Sequence, residues 1–424
     1  MDHIRHLECL VCGKKYGVSD IEYVCPDHGT EGVVDVVYDY ARLRDRLDRD
    51  RLASRSDPSM FRYRELLPIE AASPAPPLPV GGTPMWAVPD AGAPFGLDDV
   101  WIKDEGRNPT ASLKDRASAI AVVKARELGA EVVTTASTGN AAAALAGLSA
   151  SMGRASVIFV PAAAPEAKVA QLLAFGSTVF LVEGSYDDAY ELCLSAAAEF
   201  GWYNRSTGFN PYMSEGKKTV AYEIAEAFGW TVPDAVIVSV GDGCIIGGLH
   251  KGFVDLVELG WTDRVPRLVG VQAQGSNYLA AAWEEGADVL SKPPIEADTV
   301  ADSISAGLPR DRLKAMRAVV DSGGGFVTVS DDEILAAIPT LAQRTGVFAE
   351  PAAAAGYAGL PAALAEDLLS PQDRVVVLST GSGLKDIAAA MKGVAAAGGS
   401  AHRVAPSLDA LKKQMSNLEE EATS

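Results

Sequence analysis

Short runs rich in β-branched residues alternate with longer stretches of helical periodicity from about residue 130 to residue 380. The clearest runs are VVTTAS (132–137), AVIVSVG (235–241) and RVVVLSTG (374–381). Between the runs, apolar residues recur every three to four positions, as they do on one face of a helix. This alternation is typical of parallel sheets covered by helices on both faces. The pattern therefore predicts an α/β protein with two doubly wound domains.

The two ends of the chain follow other patterns. Residues 41–70 are rich in charge and helical in pattern, which predicts a solvated helix against the main body. The proline-rich stretch AASPAPPLPV (71–80) predicts an extended linker and the clearest boundary in the chain. An apolar stripe in the tail, which we expect to pack on the body or on a second subunit, consists of Leu408, Leu411, Met415 and Leu418.

Two close pairs of metal-ligand residues stand near the N-terminus. Cys9 and Cys12 form one pair, and Cys25 and His28 form the other, twelve residues further on. This spacing could close a tetrahedral Cys3His zinc site of the zinc-ribbon kind, structural because it leaves no open position. The alternative is a segment that folds without metal and uses its cysteines as small buried residues.

The composition of the chain argues against several classes of binding partner. The chain has 424 residues, a net charge of −19 and an odd number of cysteines, five. The negative charge argues against nucleic acid and anionic membranes as main partners. Because glycine and polar residues interrupt every apolar run, we expect no membrane span. The N-terminus lacks an apolar signal segment, so we expect a cytoplasmic protein without disulfides.

Lys114 stands out in the stretch NPTASLKDR (108–116). Asn108-Pro109 indicates a turn, Ser112 is a candidate N-cap, and a helical pattern runs from Asp115 to Gly129. Lys114 would then lie at a helix N-terminus, where the helix dipole disfavours an ammonium ion. Such a lysine is easier to convert to an imine, although an ordinary surface lysine would fit the same pattern.

Three polar strand-to-helix turns could bind ligands, because ligands of α/β sheets bind beyond the carboxyl ends of the strands. The turn 137–140 (STGN) would suit a carboxylate, and the glycine-rich turn 241–248 (GDGCIIGG) would suit a phosphate. The turn 379–383 (STGSG) offers hydroxyl groups to a ring nitrogen. Each could also be a plain capped turn. Together with Lys114, they describe a site for pyridoxal 5'-phosphate.

The sequence resembles the fold type II, or β-family, pyridoxal-phosphate enzymes, and within them the threonine synthases. The resemblance extends from the cysteine-rich N-terminus to about residue 390. The matching stretches are GGTP (81–84), 103–105, NPTASLKDR, STGN, NPYMSEGKKT (210–219), the glycine loop, 350–352 and TGSGLKD (380–386).

The resemblance implies a fold like that of the tryptophan synthase β-subunit, with two domains around a cofactor cleft. The units it implies are a zinc-ribbon-like segment (1–40), a helical arm and linker (41–80), a large cofactor-binding domain (81–124 with 214–400), a small mobile domain (125–213) and a helical tail (401–424). A homodimer is a further expectation from the family.

The resemblance also assigns roles to individual residues. Lys114 would form the Schiff base and transfer protons, and Asn140 would hold the cofactor's 3-hydroxyl. Ser137, Thr138 and Gly139 would hold the substrate's α-carboxylate. Thr380 would face the pyridine nitrogen. The cofactor's phosphate would lie on Gly241, Asp242, Gly243, Cys244 and Ile245.

The expected reaction is elimination or replacement, because a hydroxyl partner does not favour a protonated pyridine ring and leaves it a weaker electron sink. The leading interpretation is a lyase like threonine synthase, which converts O-phosphohomoserine and water to threonine and phosphate. The alternatives are β-replacement or β-elimination on a serine-type substrate such as O-phosphoserine, as in cysteate synthases or dehydratases, and a catalytically inactive binding protein.

Three features depart from the threonine synthase pattern, and one is that Asp242 and Cys244 make the phosphate loop unlike the all-glycine form. Ala111 stands where glycine is common, and Met213 stands where an arginine binds the substrate's phosphate. A thioether cannot replace a bidentate guanidinium. Arg205, Lys217 and Lys218 are the candidates to take over that contact.

Overall fold

Three β-sheets organise the chain in the computed structural model, which describes residues 1–423. The first sheet is antiparallel and comprises β1 (Ile4–Cys9), β2 (Lys15–Tyr16) and β3 (Val34–Tyr38), with β1 in the middle. Its alternating buried residues face a core that continues into the large sheet's helices.

The segment after this sheet differs from the predicted solvated helix. It forms two short helices, α1 (Tyr40–Arg46) and α2 (Arg49–Ala53). The prediction was wrong because Leu47 has extended backbone and the Asp48 side chain accepts from the N–H groups that start α2. A 3-10 turn at Met60–Leu66 then buries four of its side chains, so this part is not a solvated face.

The elements of the remaining chain follow in sequence order. Up to residue 204 they are β4 (Met85–Ala87), α3 (Pro89–Gly92), β5 (Asp99–Asp104), α4 (Lys114–Glu127), β6 (Val132–Ala136), α5 (Asn140–Ser151), β7 (Ala155–Pro161), α6 (Glu166–Ala174), β8 (Thr178–Val182), α7 (Tyr186–Phe200) and β9 (Tyr203–Asn204). Beyond it they are α8 (Tyr212–Lys217), α9 (Thr219–Ala227), β10 (Ala235–Ser239), α10 (Cys244–Glu258), β11 (Arg267–Ala273), α11 (Tyr278–Glu285), α12 (Arg312–Ser322), β12 (Gly325–Val329), α13 (Asp331–Thr345), α14 (Pro351–Ala358), α15 (Leu360–Ala365), β13 (Arg374–Ser379), α16 (Ile387–Ala396) and α17 (Leu408–Thr423).

The alternation confirms the prediction of parallel α/β sheets. The large sheet has the order β12-β11-β10-β13-β5-β4 and is parallel except for the edge strand β4. The small sheet has the order β8-β7-β6-β9 and is parallel throughout. Every residue of β10 is buried, as expected of a central strand covered by helices on both faces.

The carboxyl ends of β6, β10 and β13 lie near the start of α4. The segment before α4 is joined to the turn after β13, because Leu113 N donates to Thr380 O at 2.9 Å. The predicted N-cap at Ser112 was wrong: α4 begins at Lys114, Leu113 occupies the cap position, and the buried Ser112 hydroxyl has no partner within the described chain.

The tail helix α17 exposes its apolar stripe. Leu408, Leu411 and Met415 are all exposed, which contradicts packing of this stripe on the body of the same chain. The other expectation, packing on a second subunit, is taken up below. None of the helices in residues 1–423 is long and apolar enough to cross a membrane.

Candidate active site

Lys114 lies in a cavity between the two parallel sheets. The first turn of α4 places it there, opposite the turns that follow β10 and β13. The same cavity is lined by every residue that the sequence assigned to the cofactor, namely Lys114, Asn140, Gly241, Asp242, Gly243, Cys244, Ile245 and Thr380. The structure thus brings together residues that are up to 266 positions apart, the separation of Lys114 and Thr380.

The amine of Lys114 has a pKa lowered to about 8. Burial is the largest cause, the positive charge of Lys217 adds to it, and that of Arg205 acts in the same direction. Cys244 and Asp242 oppose the shift. Lys114 does lie at the start of a helix, α4, but burial and neighbouring cations account for the lowered pKa. The result is an amine that is partly neutral, and therefore nucleophilic, near neutral pH.

A buried ion cluster fixes the first turn of α4. The Arg116 guanidinium donates to Glu105 at 2.7 and 2.8 Å and to Glu223 at 2.6 and 2.7 Å. Lys103 donates to the same Glu223 at 2.6 Å. These contacts tie α4 to β5 and α9, so Arg116 holds Lys114 in place without itself lining the cavity.

The turn after β6 faces a second cavity that adjoins the first. Thr138, Gly139 and Asn140 line it, together with Lys168 and Lys385 among others. Ser137 does not line it; its hydroxyl accepts from the N–H of Gly139 at 3.2 Å and shapes the turn instead. The N-terminus of α5 and the cations Lys168 and Lys385 on this cavity suit a carboxylate.

Glu350 joins the two cavities and is a site residue that the sequence analysis did not single out. It lines both cavities and accepts from Asn140 Nδ2 at 2.7 Å. Burial raises the pKa of its carboxyl to about 7. The available signal was a carboxylate directly before Pro351, at the start of an alanine-rich helix (α14). Ser303, which also lines both cavities, has no comparable signal.

The turn after β10 brings backbone close to the cavity. Gly243 has φ 92°, a conformation that favours glycine, and a Cβ there would meet Asp311 O at 2.9 Å. A Cβ on Gly241 would meet the Ile304 backbone at 2.8 Å. The Asp242 carboxylate accepts from the backbone N–H of Arg310 at 3.2 Å, so part of its charge is engaged with a neighbouring loop. The N-terminus of α10 then points at the cavity, as anion-binding helices do.

Several buried hydroxyl groups around the cavity have no protein partner in the described chain. Ser239 ends β10 and lines the cavity. Ser112 and Ser379 directly precede Leu113 and Thr380, two residues that line the cavity. Thr380 itself is buried and lines the cavity. Unsatisfied polar groups of this kind are uncommon in folded proteins and indicate a polar ligand.

These observations fit a phosphate-bearing pyridine cofactor. The site offers a partly neutral lysine, a helix N-terminus reached by close backbone approach, and hydroxyl groups beside the ring position. Lys114 lines the cavity and Lys217 donates to Cys244 of the glycine-rich turn, and neither forms an ion pair with a carboxylate in residues 1–423, so the site carries positive charge that a phosphate would balance.

The four predicted metal ligands come together at the N-terminus. The ligand atoms of Cys9, Cys12, Cys25 and His28 all lie within 4.8 Å of one another. Cys9 ends β1, and Gly13, with φ 71°, turns the chain towards β2. Cys9 and Cys12 therefore lie at the turn of an antiparallel hairpin, β1–β2.

The position that departs from the threonine synthase pattern is part of the core. Met213 is fully buried in the main hydrophobic cluster and lines neither cavity. Of the three candidate replacements, Lys218 is engaged elsewhere, since its Nζ lies 2.7 Å from both Glu215 and Asp255.

Comparisons with known proteins agree with this site. The family model described as pyridoxal-phosphate dependent enzyme matches residues 77–381. The threonine synthase of Methanocaldococcus jannaschii is 37% identical over 386 residues, covering 91% of this chain and 94% of that protein. The threonine synthase of Methanosarcina acetivorans is 37% identical over 384 residues, covering 90% of this chain and 92% of that protein.

Solved structures share the fold at lower identity. Threonine deaminase isoform 2 from Solanum lycopersicum matches with a TM-score of 0.63 at 23% identity, over 74% of this chain and 88% of that one. Diaminopropionate ammonia lyase from Escherichia coli matches with a TM-score of 0.63 at 19% identity, over 81% of this chain and 92% of that one. The matched family model, the sequence identity over most of the chain and the shared fold lead to one conclusion. The chain belongs to the fold type II pyridoxal-phosphate-dependent enzymes, in the group that contains the threonine synthases.

Proposed function

We propose that this enzyme is a threonine synthase, a lyase that converts O-phosphohomoserine and water to threonine and phosphate. The observation that carries the proposal is the 37% identity with threonine synthases over nine-tenths of the chain. The single cavity formed by the predicted cofactor residues supports it.

The reaction proceeds by loss of two protons and of the phosphate, and Lys114 is the residue that transfers protons. Bound pyridoxal phosphate withdraws electrons from the carbon atoms next to the substrate's amino group, which makes their protons acidic. The neutral amine of Lys114 is the base that takes the proton from Cα, and its lowered pKa of about 8 keeps it available for this step. Loss of a Cβ proton then lets the Cγ–O bond break, and the oxygen leaves with its electron pair as phosphate. The hydroxyl of a water molecule adds at Cβ, Cγ receives a proton, and Lys114 returns a proton to Cα, which completes threonine.

The other residues of the two cavities bind the substrate and the cofactor and orient them. Thr138 and Gly139 hold the substrate's α-carboxylate at the start of α5, as N–H groups at a helix N-terminus can. Asn140 and Glu350 form one hydrogen-bonded pair next to Lys114. Thr380 contacts the ring nitrogen as a neutral hydroxyl and so favours elimination over transamination. The small sheet closes on the large one and excludes water until the leaving group has gone.

The closest competing function is β-replacement or β-elimination on O-phosphoserine. The two are separated by offering O-phosphohomoserine and O-phosphoserine separately and measuring phosphate and amino-acid products. We expect phosphate and threonine from the first substrate, and no product from Lys114→Ala. Turnover of O-phosphoserine alone would refute the proposal. A protein that neither binds the cofactor nor turns over either substrate would be the inactive binding protein.

We also propose a structural zinc ion on Cys9, Cys12, Cys25 and His28. The mutual approach of the four ligand atoms supports it, and three thiolates with one imidazole are a common zinc ligand set. Metal analysis of the purified enzyme tests this proposal: we expect about one zinc per chain, and negligible zinc would refute it.

A homodimer in the cytoplasm is the expected state. The exposed stripe of Leu408, Leu411 and Met415 on α17 supports a second subunit as its partner, and five free thiols suit a reducing compartment. Light scattering on the whole chain and on Leu411→Glu tests the dimer. A monomer in both would contradict it.

A further inference from the structure

A further cavity, which we call the rear cavity, lies between the N-terminal sheet and the helices α10 and α12. Leu10 and Asp35 line it from the side of the N-terminal sheet, and residues 247–254 of α10 and one face of α12 line the other sides. Its volume is about 220 Å³, which is room for roughly seven water molecules at 30 Å³ each. The rear cavity therefore suits a ligand of the size of a free amino acid, and the catalytic chemistry uses none of its residues.

Three cations and two carboxylates line the rear cavity. Lys251 donates to Asp35 at 3.3 Å, and Lys314 Nζ lies 3.7 Å from the same carboxylate. Burial acts to raise the pKa of Asp35, but the lysines hold it at about 2, so one ionised acid is shared between two cations. The third cation, Arg317, makes no hydrogen bond or ion pair within residues 1–423. In a chain of net charge −19, this local excess of positive charge attracts an anionic group.

One face of α12 offers charges of both signs. Lys314, Arg317 and Asp321 are three and four positions apart, so they are neighbours on the helix surface. Arg317 and Asp321 are exposed and form no ion pair with each other in the described chain, and Asp321 lies 3.8 Å from His250 Nε2. Burial lowers the pKa of His250, so its imidazole is neutral near pH 7. A cation and an anion one helical turn apart match the carboxylate and the ammonium of an α-amino acid.

The opposite side of the rear cavity is an apolar wall formed by Leu10 and Val254. Between this wall and α12 the two helices approach closely, because a Cβ on Gly247 would meet Lys314 Cβ at 2.7 Å. A ligand charged on every side, such as phosphate, would leave part of its surface against apolar groups. An amino acid with a small apolar side chain can use both the charged face and the apolar wall.

The rear cavity is connected to the glycine-rich turn of the catalytic cavity. α10 begins at Cys244, and the N–H of Asp311, directly before α12, donates to Asp242 O at 2.8 Å. Lys314 also donates to the Ser214 hydroxyl at 3.2 Å, and that hydroxyl lies 3.7 Å from the Cys244 thiol. Since Cys244 lines the catalytic cavity, a movement of Lys314 towards a ligand acts on the turn that suits the cofactor's phosphate.

We propose that the rear cavity is an effector site for a free α-amino acid with a small apolar side chain. The carboxylate binds Lys314 and Arg317, the ammonium binds Asp321, and the side chain packs on the apolar wall. Because the ligand draws Lys314 away from Ser214 and places a carboxylate behind the glycine-rich turn, it weakens the binding of the cofactor's phosphate. The site is independent of the substrate that the catalytic cavity takes, so the proposal goes beyond the proposed function.

The test is calorimetric titration of the holoenzyme with L-valine, while the absorbance of the bound cofactor is recorded. The comparison ligands are isovalerate, which is valine without its ammonium, isobutylamine, which is valine without its carboxylate, and inorganic phosphate. The variants are Arg317→Gln and Asp321→Asn. Arg126→Gln is the matched control, because Arg126 is an exposed helical arginine that lines neither the catalytic cavities nor the rear cavity. The Kd of pyridoxal phosphate is measured with and without L-valine.

We expect L-valine to bind at least about tenfold more tightly than each comparison ligand, without a change in the absorbance of the cofactor. Arg317→Gln should weaken the binding of L-valine at least about tenfold, and Asp321→Asn should remove the preference for L-valine over isovalerate. Arg126→Gln should behave as wild type. Saturating L-valine should raise the Kd of the cofactor about fivefold, and the cofactor should weaken L-valine by the same factor, because coupling is reciprocal.

The proposal is overturned if L-valine does not bind, or if isovalerate or phosphate binds as tightly, since the cavity would then take simple anions. It is also overturned if L-valine changes the absorbance of the cofactor, because the ligand would then occupy the catalytic cavity. Binding to Arg317→Gln, folded as judged by its thermal transition, within about threefold of wild type would overturn the assigned site. An unchanged Kd of the cofactor would overturn the effector role. None of these measurements requires turnover, so failure of the proposed function is recognised separately, by wild type that does not convert O-phosphohomoserine.

Discussion

Individual residues of the cavity have properties that their sequence context shows only in part. The position of Lys114 at a helix start could be predicted from the turn before it and the periodicity after it. The size and cause of its pKa shift could not, because they depend on burial and on Lys217, which is remote in sequence. The same holds for Glu350, whose raised pKa arises from burial in a cavity that only the fold creates.

The pKa of Lys114 predicts how the apoenzyme takes up its cofactor. Imine formation needs the neutral amine, so the uptake rate should rise with pH and reach half its maximum near pH 8. Lys217→Met removes a neighbouring positive charge and should move this midpoint upward. Rapid-mixing absorbance at saturating pyridoxal phosphate measures it. An unchanged midpoint in Lys217→Met would contradict the assigned cause.

The raised pKa of Glu350 predicts that wild type and Glu350→Gln differ in stability by an amount that depends on pH. Its pKa in the folded protein is about 7, above the ordinary value of 4.5, so protonation of Glu350 stabilises the folded state. This contribution is complete below about pH 4.5 and is lost as pH rises through 7. Glu350→Gln cannot ionise, and at pH 8 it should be more stable than wild type by on the order of 3 kcal/mol.

Denaturant unfolding of the apoenzymes at pH 5 and pH 8 measures this difference, which should fall to about 1 kcal/mol or less at the lower pH. The cations Lys385, Lys114 and Lys168 act against the raised pKa and are common to both proteins. The exposed Glu284 provides a control, since Glu284→Gln should change stability equally at both pH values. A Glu350→Gln variant that is less stable than wild type at pH 8 would contradict the assignment.

At the scale of elements, the order of strands and helices followed closely from the sequence. Buried parallel strands appear in the sequence as nearly unbroken β-branched runs, and the run 374–381 begins at Arg374, where β13 begins. The failures lie where side chains override periodicity. Asp48 caps a second helix where one was predicted, and Ser112 does not cap α4, because the segment before α4 is tied to the turn after β13.

The turn before α4 carries a measurable strain. Ala111 has φ 65°, a left-handed conformation that costs an alanine roughly 1–2 kcal/mol. Ala111→Gly removes this cost, but it also makes the unfolded chain more flexible, which offsets part of the gain. We expect a net stabilisation of up to about 1 kcal/mol in denaturant unfolding. Ala125→Gly, inside α4, is the matched control and should destabilise the protein; a loss of stability in Ala111→Gly would be inconsistent with the strain.

At the scale of the whole molecule, the N-terminal sheet is attached directly behind the catalytic cleft. The Tyr38 hydroxyl donates to Glu215 at 2.5 Å, and the Lys218 ammonium lies 3.8 Å above the Tyr38 ring. Glu215 and Lys218 flank Lys217, whose ammonium reaches Cys244. The cysteine spacing predicted a zinc-ribbon-like segment, but nothing in it indicated where the segment would dock, because docking depends on contacts between remote residues.

This attachment predicts that loss of zinc weakens the whole enzyme. Cys12→Ser is the most specific variant, because Cys12 is exposed. Cys9 and Cys25 are buried, so their replacement would also disturb the core. We expect Cys12→Ser to lose zinc, to melt at a lower temperature and to bind pyridoxal phosphate more weakly. Cys193→Ser, a buried cysteine outside the cluster, should keep its zinc. Unchanged zinc content in Cys12→Ser would show that the cluster is not the metal site.

The most direct test of the account is a product analysis in water labelled with the heavy isotope of oxygen. The holoenzyme is given O-phosphohomoserine, and both products are examined by mass spectrometry, with Lys114→Ala as the inactive control. The account predicts equal amounts of threonine and phosphate, with one labelled oxygen in the threonine hydroxyl and none in the phosphate. Label in the phosphate with homoserine as the other product, or an oxo acid in place of threonine, would contradict it.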